Sequence, residues 1–273
     1  MKIRPAAVAG YFYPDDPIKL TAQINSYLTQ IVSKISANKI FGIISPHAGY
    51  QYSGLTAAYA YNLLRDKSID NVIIISPSHR EYFPGCCIYA GDAYRTPLGI
   101  VEVNKEMSRV IVGGSKNIFF GENGHKLEHA LEVQIPFLQT VLSDFSIIPI
   151  VIGDQSKIFV YELAERLAKA MDEKTIIVAS SDMSHFYSAI DADRLDSVVE
   201  EIINHFDYEG LQTALDEKQC EACGGGPIVS LMKAASMKGY KNSIVLHRSD
   251  SGDETGDKSE VVGYLSAVIY GGD

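Results

Sequence analysis

Two histidines in this chain stand in matched settings. His47 ends the stretch Ile44-Ser45-Pro46-His47, and His79 ends Ile75-Ser76-Pro77-Ser78-His79. Each follows an apolar run, Ile40-Phe41-Gly42-Ile43-Ile44 and Val72-Ile73-Ile74-Ile75, that reads as a buried strand. Proline has no N–H to give a ladder, so each strand is expected to stop at Ser-Pro with a histidine close behind. Ligands of open α/β sheets bind in the crevice outside the carboxyl ends of the strands. Two imidazoles held there suit a pair of metal ligands. The plainer alternative is two loop histidines that only make hydrogen bonds.

Other residues compete for places in the same site. Asp182 and His185 follow a third buried run, Thr175-Ile176-Ile177-Val178-Ala179-Ser180. A carboxylate and an imidazole three residues apart can orient each other, bind metal or handle protons; alternatively Ser181 or Asp182 caps a short turn. Glu128, His129 and Glu132 are read on one helix, where His129 and Glu132 share a face. They fit partners behind a metal-bound histidine, or an ordinary surface pair, and His125 reads as a loop residue without a role.

Cys220 and Cys223 have C-x-x-C spacing, which alone is a weak sign of zinc or redox chemistry. The glycines that follow, Gly224-Gly225-Gly226, permit close backbone approach, and Pro227 suits the start of a helix. Cys223 is then expected near a helix N-terminus, which favours thiolate. It reads as a soft metal ligand, a reactive thiol, or a small packing residue. Cys86 and Cys87 read as strand packing.

These residues need a scaffold. Helical period predicts helices over residues 17–36, 53–65, 104–112, 127–142 (with Pro136 kinking or dividing it), 156–171, 189–204, 208–215 and 227–238. Further strands fit residues 146–152, 243–247 and 261–270, and residues 86–103 suggest a hairpin leaving the main sheet. Residues 113–124 read as loop. Buried strands alternating with helices predict an α/β fold, a three-layer αβα sandwich with a mostly parallel central sheet, in one domain over residues 1–273. The loop Gly252-Asp253-Glu254-Thr255-Gly256-Asp257-Lys258-Ser259 lacks the Gly-Lys-[Ser/Thr] of a P-loop and is read instead as a cover for the cleft.

Bulk properties narrow the function. The formal charge of -10 argues against a broad nucleic-acid surface. No apolar run approaches the roughly 18 residues of a membrane span, and no signal peptide is read, so a cytoplasmic protein is expected. Four cysteines, unevenly spaced, do not make a disulfide framework.

Motifs along almost the whole chain resemble the Memo family, the B component of the AmmeMemoRadiSam system. They are Arg4-Pro-Ala-Ala-Val-Ala-Gly-Tyr-Phe-Tyr-Pro14, Ser45-Pro-His-Ala-Gly-Tyr50 with Tyr52-Ser-Gly54, Ser76-Pro-Ser-His79, Glu128-His-Ala-Leu-Glu132, Ser180-Ser-Asp-Met-Ser-His185, Cys223-Gly-x-x-Pro-Ile228 and Gly252-Asp-x-Thr-Gly-Asp-Lys-Ser259. The family is similar in architecture to the class III extradiol dioxygenases, which hold ferrous iron with two histidines and a carboxylate. The resemblance implies a metal triad of His47, His79 and Cys223, with Asp182 and His185 lining the same pocket. Cysteine in place of the carboxylate makes the donor set softer, suited to copper or iron, with zinc also possible.

The reading is a metal-dependent redox enzyme, with His185 as acid/base and Asp182 orienting it. Two alternatives stand beside it: a non-catalytic module that binds a peptide in the same cleft, and a zinc hydrolase. The family's system name also implies a radical S-adenosylmethionine enzyme and an AMMECR-type protein as partners, around an unknown small-molecule or peptide substrate.

Overall fold

The computed structural model describes residues 1–32 and 39–271. The central strands are apolar at successive positions, so they must be covered on both faces. Ile44, Ile73 and Ile75 pack into one buried cluster, and Ile43, Val72 and Ile74 pack into another on the opposite face. Two cores on one sheet give three layers.

In chain order, the first half runs β1 (Ile3–Arg4), α1 (Pro17–Leu28), β2 (Lys39–Ser45), α2 (Tyr50–Asn62), β3 (Asn71–Pro77), β4 (Cys86–Tyr89), β5 (Ala93–Thr96), β6 (Gly99–Glu102), α3 (Lys105–Val112) and β7 (Ile118–Gly121). It continues with α4 (Gln134–Val141), β8 (Ser146–Ile152), α5 (Lys157–Ala170), β9 (Thr175–Ser180), β10 (His185–Tyr187), α6 (Ala189–Asn204) and α7 (Tyr208–Asp216). The last elements are α8 (Gly225–Met237), β11 (Asn242–Asp250), α9 (Gly252–Thr255) and β12 (Val261–Gly271). Helices α1, α2 and α4 cover one face. Helices α3, α5, α6, α7 and α8 cover the other.

The large sheet has the order β10-β12-β2-β9-β3-β8-β4-β7, with β11 also on β12. Its centre, β2-β9-β3-β8, is parallel. Its flanks are not: β12 runs antiparallel to β2, and β4 antiparallel to β8. The αβα sandwich expected from the sequence is present, and its sheet is mixed. The parallel centre matters for the site, because it sends the carboxyl ends of β2, β9 and β3 to one edge. β9 lies between the two strands that end in Ser-Pro.

Several local expectations need correction. Cys86–Tyr89 belongs to the main sheet, while the hairpin proper is β5–β6, which pairs with β1 in a separate three-stranded sheet. The predicted loop over 113–124 contains β7, an edge strand parallel to β4. α1 stops at Leu28, and part of its predicted extension, residues 33–36, lies outside the described residues. α2 begins at Tyr50 rather than after Ser53; the Tyr50 N–H is taken by the carbonyl of Phe12 at 2.7 Å, so the N-terminal arm caps the helix.

The predicted helix 127–142 is only α4. Pro136 sits in its first turn, where an N–H is not needed. Residues 128–133 form an irregular turn, so the expected shared helix face of His129 and Glu132 does not exist.

Candidate metal centre

The site is built on the three strand ends at the centre of the sheet. His47 leaves β2, His79 leaves β3, and Asp182 leaves β9. Cys223 arrives from the other side, two residues before α8. Its approach depends on Gly224: a Cβ there would meet the carbonyl oxygen of Ser180 at 2.0 Å, so only glycine lets the chain pass β9 this closely. Gln155, from the loop after β8, donates to the Cys223 carbonyl at 2.7 Å and accepts from the Gly226 N–H at 2.7 Å. It ties the cysteine turn to the strand edge.

Ligand atoms of His47, His79 and Cys223 lie within 4.8 Å of one another. The His47 Nε2 stands 3.1 Å from the Cys223 Sγ. The three residues predicted to form the triad are therefore brought together.

Hydrogen bonds decide which nitrogen of each imidazole is free. Ser180 has one hydroxyl proton, and it goes to the Ala130 carbonyl at 2.7 Å. The same oxygen therefore accepts from His47 Nδ1–H at 2.9 Å, as it accepts from Gln134 Nε2 at 2.8 Å. The Gln134 amide is in turn oriented by the Tyr61 hydroxyl at 2.6 Å. His47 thus carries its proton on Nδ1 and presents the Nε2 lone pair to Cys223. His79 reaches the same state by another route. Its Nδ1–H donates to Glu128 Oε1 at 2.9 Å, and its backbone N–H donates to Glu128 Oε2 at 2.7 Å. A carboxylate behind a histidine fixes the tautomer and raises the basicity of the free nitrogen.

Electrostatics agrees with a neutral His47 and with an ionised carboxylate behind His79. Burial, with the neighbouring His79, holds His47 well below its ordinary value, so it is neutral. Burial alone would raise Glu128, but the hydrogen bond and charge of His79 and the backbone N–H groups of His79 and Ala130 outweigh it, and the carboxyl falls to about 2.

Cys223 departs from expectation. Burial, then the Asp182 carboxylate, pushes its thiol up, and this outweighs the helix start and the N–H groups around it. The Asp182 N–H points at the sulfur at 3.2 Å. Such a thiol becomes a thiolate when a cation takes the proton's place. The donor set therefore fits a bound metal ion, with an N–H already placed to stabilise sulfur charge.

Asp182 stands beside His47 and Cys223, and it does not pair with His185. Asp182 Oδ1 accepts from the His47 backbone N–H at 2.7 Å and so fixes the turn after β2. Burial raises its carboxyl, opposed by that N–H and by the nearby imidazoles of His185, His129 and His79. His185 is oriented by the Met183 carbonyl, to which Nδ1 donates at 2.8 Å, rather than by Asp182. Its Nε2 is left free.

The turn that carries Glu128 is held by Arg4. The buried guanidinium donates to the carbonyls of His125 (2.7 Å) and Glu128 (2.6 Å) and pairs with Glu132. Glu132 also accepts from Tyr13 and from the N–H groups of Ala7 (2.8 Å) and Val8 (3.1 Å), so it pins the N-terminal arm rather than a histidine. His125 is structural: Nε2–H donates to the Cys87 carbonyl at 3.0 Å and Nδ1 accepts from Tyr94 at 2.7 Å.

Sequence reasoning missed Ser180, Gln134 and Gln155. A serine ending a buried strand beside two predicted ligands was the available signal. It also read His129 on a helix, as a partner behind a metal-bound histidine or as one of a surface pair, whereas the residue sits in an irregular turn with its ring against those of His47 and His79.

The fold and the site define an α/β protein with a candidate metal centre at the carboxyl edge of its central strands. Residues 4–268 match the family model described as Memo-like protein, and the chain belongs to the Memo family. A MEMO1 family protein of Thermoplasma volcanium is 40% identical over 267 residues, covering 97% of this chain and 98% of that one. One from Nitrosopumilus maritimus is 39% identical over 268 residues, covering 96% and 98%. Among solved structures, an uncharacterized protein of Escherichia coli K12 matches with a TM-score of 0.52 at 14% identity, covering 74% of this chain and 87% of that one. That likeness concerns the fold alone. No helix among the described residues is long and apolar enough to cross a membrane.

Proposed function

We propose that the protein is a metal-dependent redox enzyme whose iron or copper ion is held by His47, His79 and Cys223. One observation carries this reading: both imidazoles have Nδ1–H tied to a protein acceptor, leaving each Nε2 as a lone pair in a group that also holds the Cys223 thiol. Two nitrogens and a sulfur favour softer, redox-capable ions over magnesium or calcium. When bound, the ion supplies electron transfer and an open position for a small molecule.

The chain's own residues supply the rest. His185 serves as acid/base, because Met183 fixes its orientation while its Nε2 stays free to take or give a proton. Asp182 keeps the His47 turn in place and, with the Asp182 N–H on sulfur, restrains the Cys223 side of the cleft. The reading also draws on the resemblance to extradiol dioxygenases, which is fold-level analogy.

Anaerobic purification without added metal, followed by metal quantification, tests the reading. Wild-type protein is expected to hold iron or copper, or to take up either tightly on ferrous or cuprous loading. His47→Ala and Cys223→Ser are each expected to lose it. Protein that binds neither ion sinks the redox reading. Zinc occupancy without redox activity favours hydrolysis by a zinc-bound water instead.

A further inference from the structure

His129 lies outside the three-ligand set, yet it packs against two of its members. Its ring is 4.7 Å from that of His79 and 5.4 Å from that of His47, centroid to centroid, and Phe12 packs against it at 4.7 Å. Its Nδ1 is buried with no hydrogen-bond partner. A buried polar atom left this way is costly, so it calls for an occupant. What faces it is Glu128 Oε1, at 3.4 Å, and the same oxygen is 2.9 Å from His79 Nδ1. Two ligands bonded to one ion at about 2.0–2.2 Å stand roughly 3–3.5 Å apart. The 3.4 Å separation fits that span, the 2.9 Å one falls just short of it, and ligand atoms of His79, Glu128 and His129 all lie within 4.8 Å of one another.

We propose that Glu128, His129 and His79 form a second cation site beside the first, with His79 shared between the two through its two ring nitrogens. The donors are two imidazole nitrogens and a carboxylate oxygen, which suit a borderline divalent ion such as zinc or ferrous iron. The cation takes the place of the proton on His79 Nδ1, and that proton leaves to solvent. Glu128 stays oriented meanwhile, because Oε1 keeps the Ala130 N–H at 2.9 Å and Oε2 keeps the His79 N–H. The partly exposed His79 side leaves room for water or substrate on the remaining positions. The two sets differ in hardness, one with sulfur and one with oxygen, so the cleft can hold unlike ions side by side.

The proposal rests on the His47, His79 and Cys223 reading, because His79 is common to both sets. Equilibrium dialysis of the full chain against zinc, with ions counted per chain, tests it. Wild type is expected to bind about two ions, and His129→Ala and Cys223→Ser about one each. His129→Phe, which keeps the ring packing against Phe12 and removes the nitrogens, is expected to behave as His129→Ala and guards against a folding defect. Cobalt(II) then separates the two sites: thiolate-to-cobalt absorption persists in the His129 variants and disappears in Cys223→Ser. A wild type that saturates at one ion, or His129→Phe protein that still binds two, overturns the second site. Wild-type protein with no thiolate band overturns the first reading instead.

Discussion

His47 and His79 leave parallel strands through the same Ser-Pro ending, but the protein supports them differently. His47 is buried, and its Nδ1–H rests on a neutral hydroxyl within a network of Ser180, Gln134 and Tyr61. His79 is partly exposed, and its Nδ1–H rests on the buried Glu128 carboxylate. The His47 support belongs to the central sheet and to α2 and α4. The His79 support belongs to an irregular turn that the N-terminal Arg4 ties down. A hydrogen bond to a charged acceptor is about twice as strong as one between neutral groups. The difference suggests a rigid ligand on one side and a strongly basic, more accessible one on the other.

The largest expected effect comes from breaking the His79 side at its root. Arg4→Ala leaves the buried Glu132 carboxylate without its cation and the carbonyls of His125 and Glu128 without a donor. Removing one partner of a buried pair costs about 3–5 kcal/mol. Urea unfolding of the metal-free protein should show a loss of that size, together with weaker metal binding. A loss under about 1 kcal/mol, the range of a surface pair, would mean that the N-terminal arm does not hold the Glu128 turn.

The second effect is on the ligand itself. Glu128→Gln keeps the shape and removes the charge behind His79, and losses of this kind cost roughly 10–100-fold in metal affinity. Titration with a competing chelator measures it. The same variant has a signature in acid. Glu128 sits at about 2 in the folded protein against an ordinary 4.5, so the stability it contributes is fully present above about 4.5 and is lost as pH falls toward about 2. In Glu128→Gln that part of the acid slope should vanish. An unchanged slope would show that the carboxylate is not held by His79 in solution.

The architecture was legible where the signal was a repeated pattern. Apolar runs over 40–44, 72–75, 146–152 and 175–180 are strands, and their Ser-Pro and Ser-Ser endings placed the cleft. The glycines after Cys223 were read correctly as a close approach, now seen against Ser180. The turn at 128–133 was misread because Leu127, Leu131 and Ile135 keep a helical spacing. Long-range contacts from Arg4 and His79 override that period, and a local pattern contains no trace of them. The thiol direction failed for a similar reason: a helix start was visible, but the burial of Cys223 and its carboxylate neighbour were not. β7 was hidden by its length, since Ile118–Gly121 is too short for alternation to stand out.

The smallest effect tests the neutral side and completes the comparison. Ser180→Ala removes the acceptor for His47 Nδ1–H but leaves Gln134 with the Pro46 carbonyl at 3.0 Å. A neutral hydrogen bond is worth about 0.5–1.5 kcal/mol, which corresponds to roughly 2–10-fold in affinity. Unlike Glu128→Gln, it should leave the acid slope of stability between about 4.5 and 2 unchanged, because no charged group is removed. Freed of its Ser180 acceptor, His47 can also exchange its proton between nitrogens, so part of the population presents Nε2–H instead of a lone pair. If Ser180→Ala instead costs as much metal affinity as Glu128→Gln, then fixing the tautomer, rather than the charge of the support, governs both histidines, and the two strand ends are equivalent after all.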